Sequence, residues 1–303
     1  LSELWSIFDY LMPGYLFGYS RFREEFESPI VNREDEGAAE RLQKMIRPFV
    51  LRRLKQDVLS DLPDKIEKNM YAAMEGEQRQ LYDAHVQRLV MLLSGQSEKE
   101  FQTAKIQILA ELTKLRQLCC DPGLLLEGYE GESAKTRLCL ELIQNAAEGG
   151  HKVLLFSQFT TMLERLKAAL SREGIRFYSL DGSTPKARRL QVVDAFNRDE
   201  TQVFCISLKA GGTGLNLTGA DIVIHFDPWW NVAVQNQATD RAHRIGQKNV
   251  VTVYRLIAQD TIEEKIVQLQ EKKSRLAEQI LGGEEMGPAA LSKEALMEIL
   301  GTR

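Results

Sequence analysis

From Ser133 onward, short apolar runs alternate with amphipathic stretches, and this rhythm restricts the fold of the 303-residue chain more than any other feature. Val153–Phe159, Phe177–Leu180, Val203–Ser207, Asp221–Phe226 and Val250–Ile257 read as strands rich in Val, Ile, Leu and Phe. Lys135–Ala147, Thr160–Arg172, Pro185–Asn197 and a run near Val234–His243 carry apolar residues at helical spacing between them. Thr184 reads as the N-cap of the third of these helices, with Pro185 at its first position. Strands that are apolar throughout are buried on both faces. The pattern therefore predicts an α/β fold whose parallel sheet is covered by helices on both sides. Right-handed crossovers then place the strand-to-helix loops at one edge of the sheet.

The first 132 residues lack this alternation. Leu4, Ile7, Phe8 and Leu11 share a helix face, and Pro13-Gly14 ends that helix. Phe22 and Phe26 repeat the spacing until Ser28-Pro29, which is expected to break it, and a third helix spans about Gly37 to Met45. Arg47, Arg52, Arg53 and Lys55 form a basic cluster that either holds phosphates or is a solvated helix face. Ile66–Met74 reads as a short strand, and Glu77–Leu93 and Phe101–Cys119 as long amphipathic helices. Thr261–Ile280 is a final long helix, with one more short helix capped by Ser292. The expected organisation is a helical protrusion over 1–63, a strand and second protrusion over 64–132, the sheet domain over 133–260, and a helix and tail over 261–303.

Composition narrows the function classes. No apolar run reaches the ~18–20 residues of a membrane span. The start carries Glu3 and Asp9 without a basic region, so it does not read as a signal peptide, and it lacks an initiator Met, which suggests a piece of a longer chain. The four cysteines form no CxxC and have no metal-ligand spacing with the four histidines, so buried reduced thiols are expected, and no metal site. The net charge of -4 argues against coating nucleic acid over the whole surface. Residues 151–260 nevertheless carry 14 Lys/Arg against 10 Asp/Glu, so an anion would bind there.

At the predicted sheet edge the strand ends deliver Ser157-Gln158-Phe159, Asp181-Gly182-Ser183-Thr184, Ser207 to Gly214, and Asp227 to Asn231. Small and glycine residues let a polyanion approach backbone amides, and Lys209 adds a full charge. Arg241 and Arg244, three apart, fall on one face of a helix, with Gln237 one turn earlier. Paired guanidinium groups suit phosphate; the competing reading is a salt bridge with Asp240 or Asp227. His243 has no nucleophile or metal partner in the pattern, so packing or hydrogen bonding is expected of it. Trp229 and Trp230 either pack or contact a sugar-phosphate backbone. The chain has no GxxxxGK[ST] and no strand ending in paired acids suited to magnesium, so by itself it is expected not to hydrolyse ATP.

These stretches carry a family resemblance. FVLRRLKQDVLSDLPDK, LLFSQFTTML, LDGST, ISLKAGGTGLNLTGADIVIHFDPWWN, QATDRAHRIGQ and DTIEEKIVQLQEKK, in this order, resemble the C-terminal half of a Swi/Snf-type ATPase motor, a duplex-DNA translocase of helicase superfamily two. Cys120-Asp121-Pro122 and Val232 depart from the family's usual residues. The resemblance implies a RecA-like second lobe with helical protrusions and a bracing helix. It makes Arg241 and Arg244 arginine fingers, and with Gly212, Gly214 and Gln237 they face ATP. Ser157, Gln158, Gly182, Ser183, Ser207, Lys209 and Trp230 would lie near one DNA strand. ATP and magnesium would be held mainly by a first lobe outside the chain. The implied partners are double-stranded DNA and that first lobe, with no membrane. The ending LSKEALMEIL resembles bacterial members, implying a DNA-associated protein of the bacterial cytoplasm, or of the nucleus if eukaryotic. The alternatives are a DNA-binding or interaction module without motor activity and, less favoured, a nucleotide-cofactor transferase, which lacks the GxGxxG it would need.

Overall fold

The computed structural model describes residues 1–33, 35–50, 62–95, 97–129, 131, 133–208, 210, 214–280 and 293–301. They belong to two compact units, Leu1–Ser60 with Gln268–Glu285, and Asp61–Val267 with Met286–Arg303. Arg52, Arg53, Lys55 and Ser292 lie outside the described residues.

The first unit is helical: α1 (Ser2–Leu11), α2 (Tyr19–Phe22), a π-helical turn (Arg23–Glu27), α3 (Ser28–Arg33) and α4 (Glu36–Ile46). Phe8, Leu16, Phe22, Phe26, Ile30, Leu42 and Ile46 make its core. The helix break expected at Ser28-Pro29 does not occur. The π turn widens the ladder, the Ser28 amide donates to the Arg23 carbonyl, and the chain stays helical through the residue that has no amide proton. Asp35 caps α4 by accepting from the Ala38 amide at 3.0 Å.

The second unit is built on a six-stranded sheet, all of whose pairings are parallel, in the order β1-β6-β5-β2-β4-β3. The strands are β1 (Lys65–Ala72), β2 (Val153–Ser157), β3 (Phe177–Leu180), β4 (Val203–Ser207), β5 (Ile222–His225) and β6 (Val251–Ala258). The helices are α5 (Gly76–Ser94), α6 (Glu98–Cys120), α7 (Ala134–Glu148), α8 (Thr160–Arg172), α9 (Lys186–Arg198), α10 (Val232–Thr239), the start of α11 (Ile262–Ile280) and α12 (Lys293–Ile299). The predicted RecA-like α/β fold is the one observed. The strict alternation of the strands sorts their side chains into two cores. Leu154, Phe156, Phe204, Ile206, Val223 and Val253 pack with Phe196 on one face. Val153, Leu155, Val203, Cys205, Ile224 and Leu256 pack with Ile143, Leu163 and Leu166 on the other.

β1, set apart in the sequence reading with the protrusion over 64–132, joins this sheet at its edge, paired with β6 from Lys65↔Val251 to Ala72↔Ala258. Two helices also differ from expectation in their boundaries. Pro185 occupies the N-cap position of α9 instead of its first turn, because the Thr184 hydroxyl accepts from the Asp181 amide in a turn closed before the helix starts. α10 starts early, since the Asn231 side chain accepts from the Ala233 and Val234 amides at 2.9 and 3.3 Å. It ends early as well: the amides of Ala242 and His243 both return to the Thr239 carbonyl, and that of Arg244 to Ala242, so the chain passes into turns.

Candidate nucleotide and nucleic-acid site

The parallel register brings the ends of β2, β3, β4 and β5 to one sheet edge. Ser157 and Ser207 are paired directly across it, and both are buried. Their hydroxyls serve their own loops: Ser207 Oγ accepts from the Ala210 amide at 3.3 Å, and Ser157 Oγ bonds Phe159 backbone groups. Gly182 and Ser183 are exposed in the loop after β3. Asp181 organises that loop by accepting from the Ser183 hydroxyl at 2.6 Å and from the Ser183 and Thr184 amides, bonds that hold its carboxyl below the usual range. Arg189, which sequence reasoning passed over, braces the same loop from α9 by donating to the carbonyls of Thr184, Asp181 and Gly182 at 2.8, 3.2 and 3.3 Å.

The loops after β2 and β5 interlock. The buried Asp227 carboxylate accepts the Gln158 amide at 3.2 Å. From α6, Arg116 donates to Gln158 Oε1 at 3.1 Å and to the Pro228 carbonyl at 2.5 Å. Its guanidinium lies 5.8 to 5.9 Å from the ring centres of Phe159, Trp229 and Trp230. Trp230 is buried, so its body packs and only its margin faces solvent; Trp229 is half-buried.

Arg241 and Arg244 do not lie on a helix. Both fall in the turns after α10, which removes the shared helix face expected for them. They remain close enough that the Arg244 cation disfavours the charge of Arg241. Arg241, half-buried, has its pKa lowered by burial and then by the neighbouring Arg244 cation, and its buried Nε has no hydrogen-bond partner. Arg244 is exposed, and its Nη1 reaches the Gly214 carbonyl at 3.5 Å, a long contact that brings the end of the glycine-rich loop to the arginines. Gly214 adopts φ of 42°, a left-handed conformation that suits glycine. Gln237 is exposed on α10. Lys209 and Gly212 lie outside the described residues.

Gln247 fixes this arrangement, and sequence reasoning gave it no role. Its buried amide group donates to the carbonyls of Ala220, Ala242 and Thr218 at 2.8, 3.2 and 3.3 Å, while its oxygen accepts from the Lys248 and Asn249 amides. The Leu217 amide donates to the Arg241 carbonyl at 2.9 Å, so the 214–220 segment and the arginine turns form one hydrogen-bonded block. His243 Nε2 bonds the Pro63 carbonyl at 2.8 Å. Two neighbouring guanidinium groups, one exposed and one half-buried, fit a polyphosphate anion. Among the described residues no group of His, Cys, Asp or Glu could hold a metal ion.

A solved SWI2/SNF2 ATPase C-terminal domain from Sulfolobus solfataricus superposes with a TM-score of 0.63 at 33% identity, covering 78% of this chain and 98% of that one. The chain belongs to the SWI2/SNF2 ATPase family. The same organism's SWI2/SNF2 ATPase core, solved in complex with double-stranded DNA, gives a TM-score of 0.67 at 35% identity over 99% of this chain and 64% of that one. The putative ATP-dependent helicase/translocase YwqA of Bacillus subtilis is 40% identical over 94% of this chain, and an uncharacterised ATP-dependent helicase of Mycoplasma pneumoniae is 37% identical over 99%. The chain spans 31% and 28% of the length of those two relatives.

Two family models match: the SNF2-related domain over residues 1–124 and the helicase conserved C-terminal domain over 134–246. This overturns the expectation of a C-terminal half that is only a second lobe and is inactive without a first. The chain of this SWI2/SNF2 family member carries SNF2-related sequence through its N-terminal helices and β1. The chain has no GxxxxGK[ST], so the SNF2-related match over 1–124 covers sequence without that motif.

Proposed function

We propose that this protein is an ATP-driven translocase on double-stranded DNA. The observation that carries the reading is the pairing of Arg241 with the exposed Arg244 beside Gly214. The exposed Arg244 and the half-buried Arg241 offer guanidinium charge to a nucleotide phosphate, which stabilises the charge spread over the transferring phosphoryl group. ATP with magnesium supplies the driving reaction when bound. This chain's own part is to present the arginines, with Gly214 beside Arg244 and Gln237 exposed on α10.

The sheet edge forms the DNA grip. Gly182 and Ser183 present an exposed loop to a phosphate, and the margin of Trp230 extends that surface. Ser157 and Ser207 shape the loops from beneath. Support comes from the shared sheet edge and from the SWI2/SNF2 core solved on double-stranded DNA. The family resemblance of its last residues supports a bacterial, DNA-associated protein.

Full-length protein assayed with and without double-stranded DNA tests the proposal. ATP hydrolysis is expected to rise on adding DNA, and DNA affinity to fall steeply as salt increases. Hydrolysis indifferent to DNA, or none under either condition, would overturn it.

A further inference from the structure

The end of α6 carries a charge in an unusual position. Arg116 is 5% exposed, yet it makes no salt bridge among the described residues; its Nη1 and Nη2 are spent on Gln158 Oε1 and the Pro228 carbonyl. A buried guanidinium is costly unless its donors are satisfied, and here its Nε is left without a partner. Those two bonds join three elements: α6, the loop after β2 and the loop after β5. The aromatic rings of Phe159, Trp229 and Trp230 surround the same group. The Gln158 amide is held in turn by Asp227, which immediately precedes Pro228. Asn231, one residue beyond Trp230, caps α10, the helix that leads to Arg241.

We infer that Arg116 is a positioning residue for the DNA-facing edge. It holds the loops after β2 and β5 in a single arrangement, with the Gln158 side chain as the buried link between them, so that both loops and the margin of Trp230 meet the DNA backbone together. The inference rests on the translocase reading above. Geometry supports a specific need for arginine. A planar fork reaches an amide oxygen on one loop and a backbone carbonyl on the other at the same time. A lysine, with a single point of charge, cannot reproduce the fork. The Gln158 side chain is kept from turning freely, because its oxygen is engaged by Arg116.

The test uses full-length protein and measures ATP hydrolysis as a function of double-stranded DNA concentration. Arg116→Met is expected to raise the DNA concentration for half-maximal stimulation roughly three- to thirtyfold, with turnover at saturating DNA largely retained. Arg116→Lys keeps the charge but not the two-loop reach, so it too should raise that concentration; this variant carries the test if Arg116→Met does not fold. Phe101→Leu trims the buried face of α6 without touching either loop and serves as the stability control. It should lower the melting temperature and leave half-saturation unchanged. Wild-type half-saturation in both arginine variants would overturn the inference, as would an equal shift in Phe101→Leu. DNA stimulation of the wild type separates the two levels: with stimulation present and the arginine variants unaltered, only the role of Arg116 falls; with stimulation absent, the translocase reading falls first.

Discussion

His225 ends β5 with its ring stacked on Phe156 and its Nε2 2.9 Å from the Thr239 hydroxyl. Burial pushes its pKa down to about 3, and the Arg255 cation adds to the effect. Glu67 opposes the shift and Lys65 reinforces it. Since the folded imidazole resists a proton that the unfolded one accepts near pH 6.5, the folded state binds fewer protons between those values. His225 therefore contributes stability that is fully present above about pH 6.5 and is lost as pH falls toward 3. Urea denaturation of His225→Phe against wild type should show the pH dependence in that window shallower by up to about 1.4 kcal/mol per pH unit. An unchanged slope would mean that the ring is not held neutral. At this scale Gln247 shows what a linear chain conceals. It looks like one more polar residue after a glycine, and its importance comes from three carbonyls that only folding brings around it.

At the scale of elements, a buried ion pair joins the first turn of α7 to the first turn of α11. Lys135 Nζ lies 3.0 and 2.9 Å from the two carboxylate oxygens of Glu263, and both side chains are fully buried. Glu263 also accepts the Ala258 amide at 2.9 Å, tying the end of β6 to the same point. Lys135→Met should destabilise the protein by about 3–5 kcal/mol, because it leaves an unpaired carboxylate in the interior. The double variant Lys135→Met/Glu263→Leu should recover most of that loss, and a double variant as unstable as the single one would contradict this account. Both partners look like ordinary surface charges in the sequence, at 135 and 263, and nothing local pairs them.

The strands β2, β4 and β5 were legible because nearly all their residues are apolar on both faces of the pleat, and β3 and β6 because aromatic and β-branched residues dominate them. Membership of β1 in the sheet was not, since its half-exposed KIEKNMYA pairs with a partner more than 180 residues away. The end of α10 was missed for a similar reason: ATDRAH contains no glycine or proline stop, and the Thr239 carbonyl, with tertiary bonds around it, turns the chain. The candidate site was legible as residue types, glycine loop and arginines, but not as geometry. Its supports, Arg116, Arg189 and Gln247, act through carbonyls that the sequence does not display.

For the whole molecule, the two family matches and the single six-stranded sheet of the second unit describe one chain with two sequence regions. The C-terminal region, 134–246, holds both arginines and most of the strand ends gathered at one edge. In the proposed motor, DNA is gripped by that edge and nucleotide phosphate by the arginines. In that proposal the hydrogen-bonded block from Gly214 to Gln247 would link the two functions. In the proposed motor Arg244 acts on the phosphate and not on DNA. Steady-state ATP hydrolysis at saturating double-stranded DNA, measured together with DNA affinity for full-length wild type and Arg244→Ala, tests it most directly. The account predicts a loss of turnover of about 10³-fold or more, with DNA affinity close to wild type. Turnover at the wild-type rate in Arg244→Ala would contradict it.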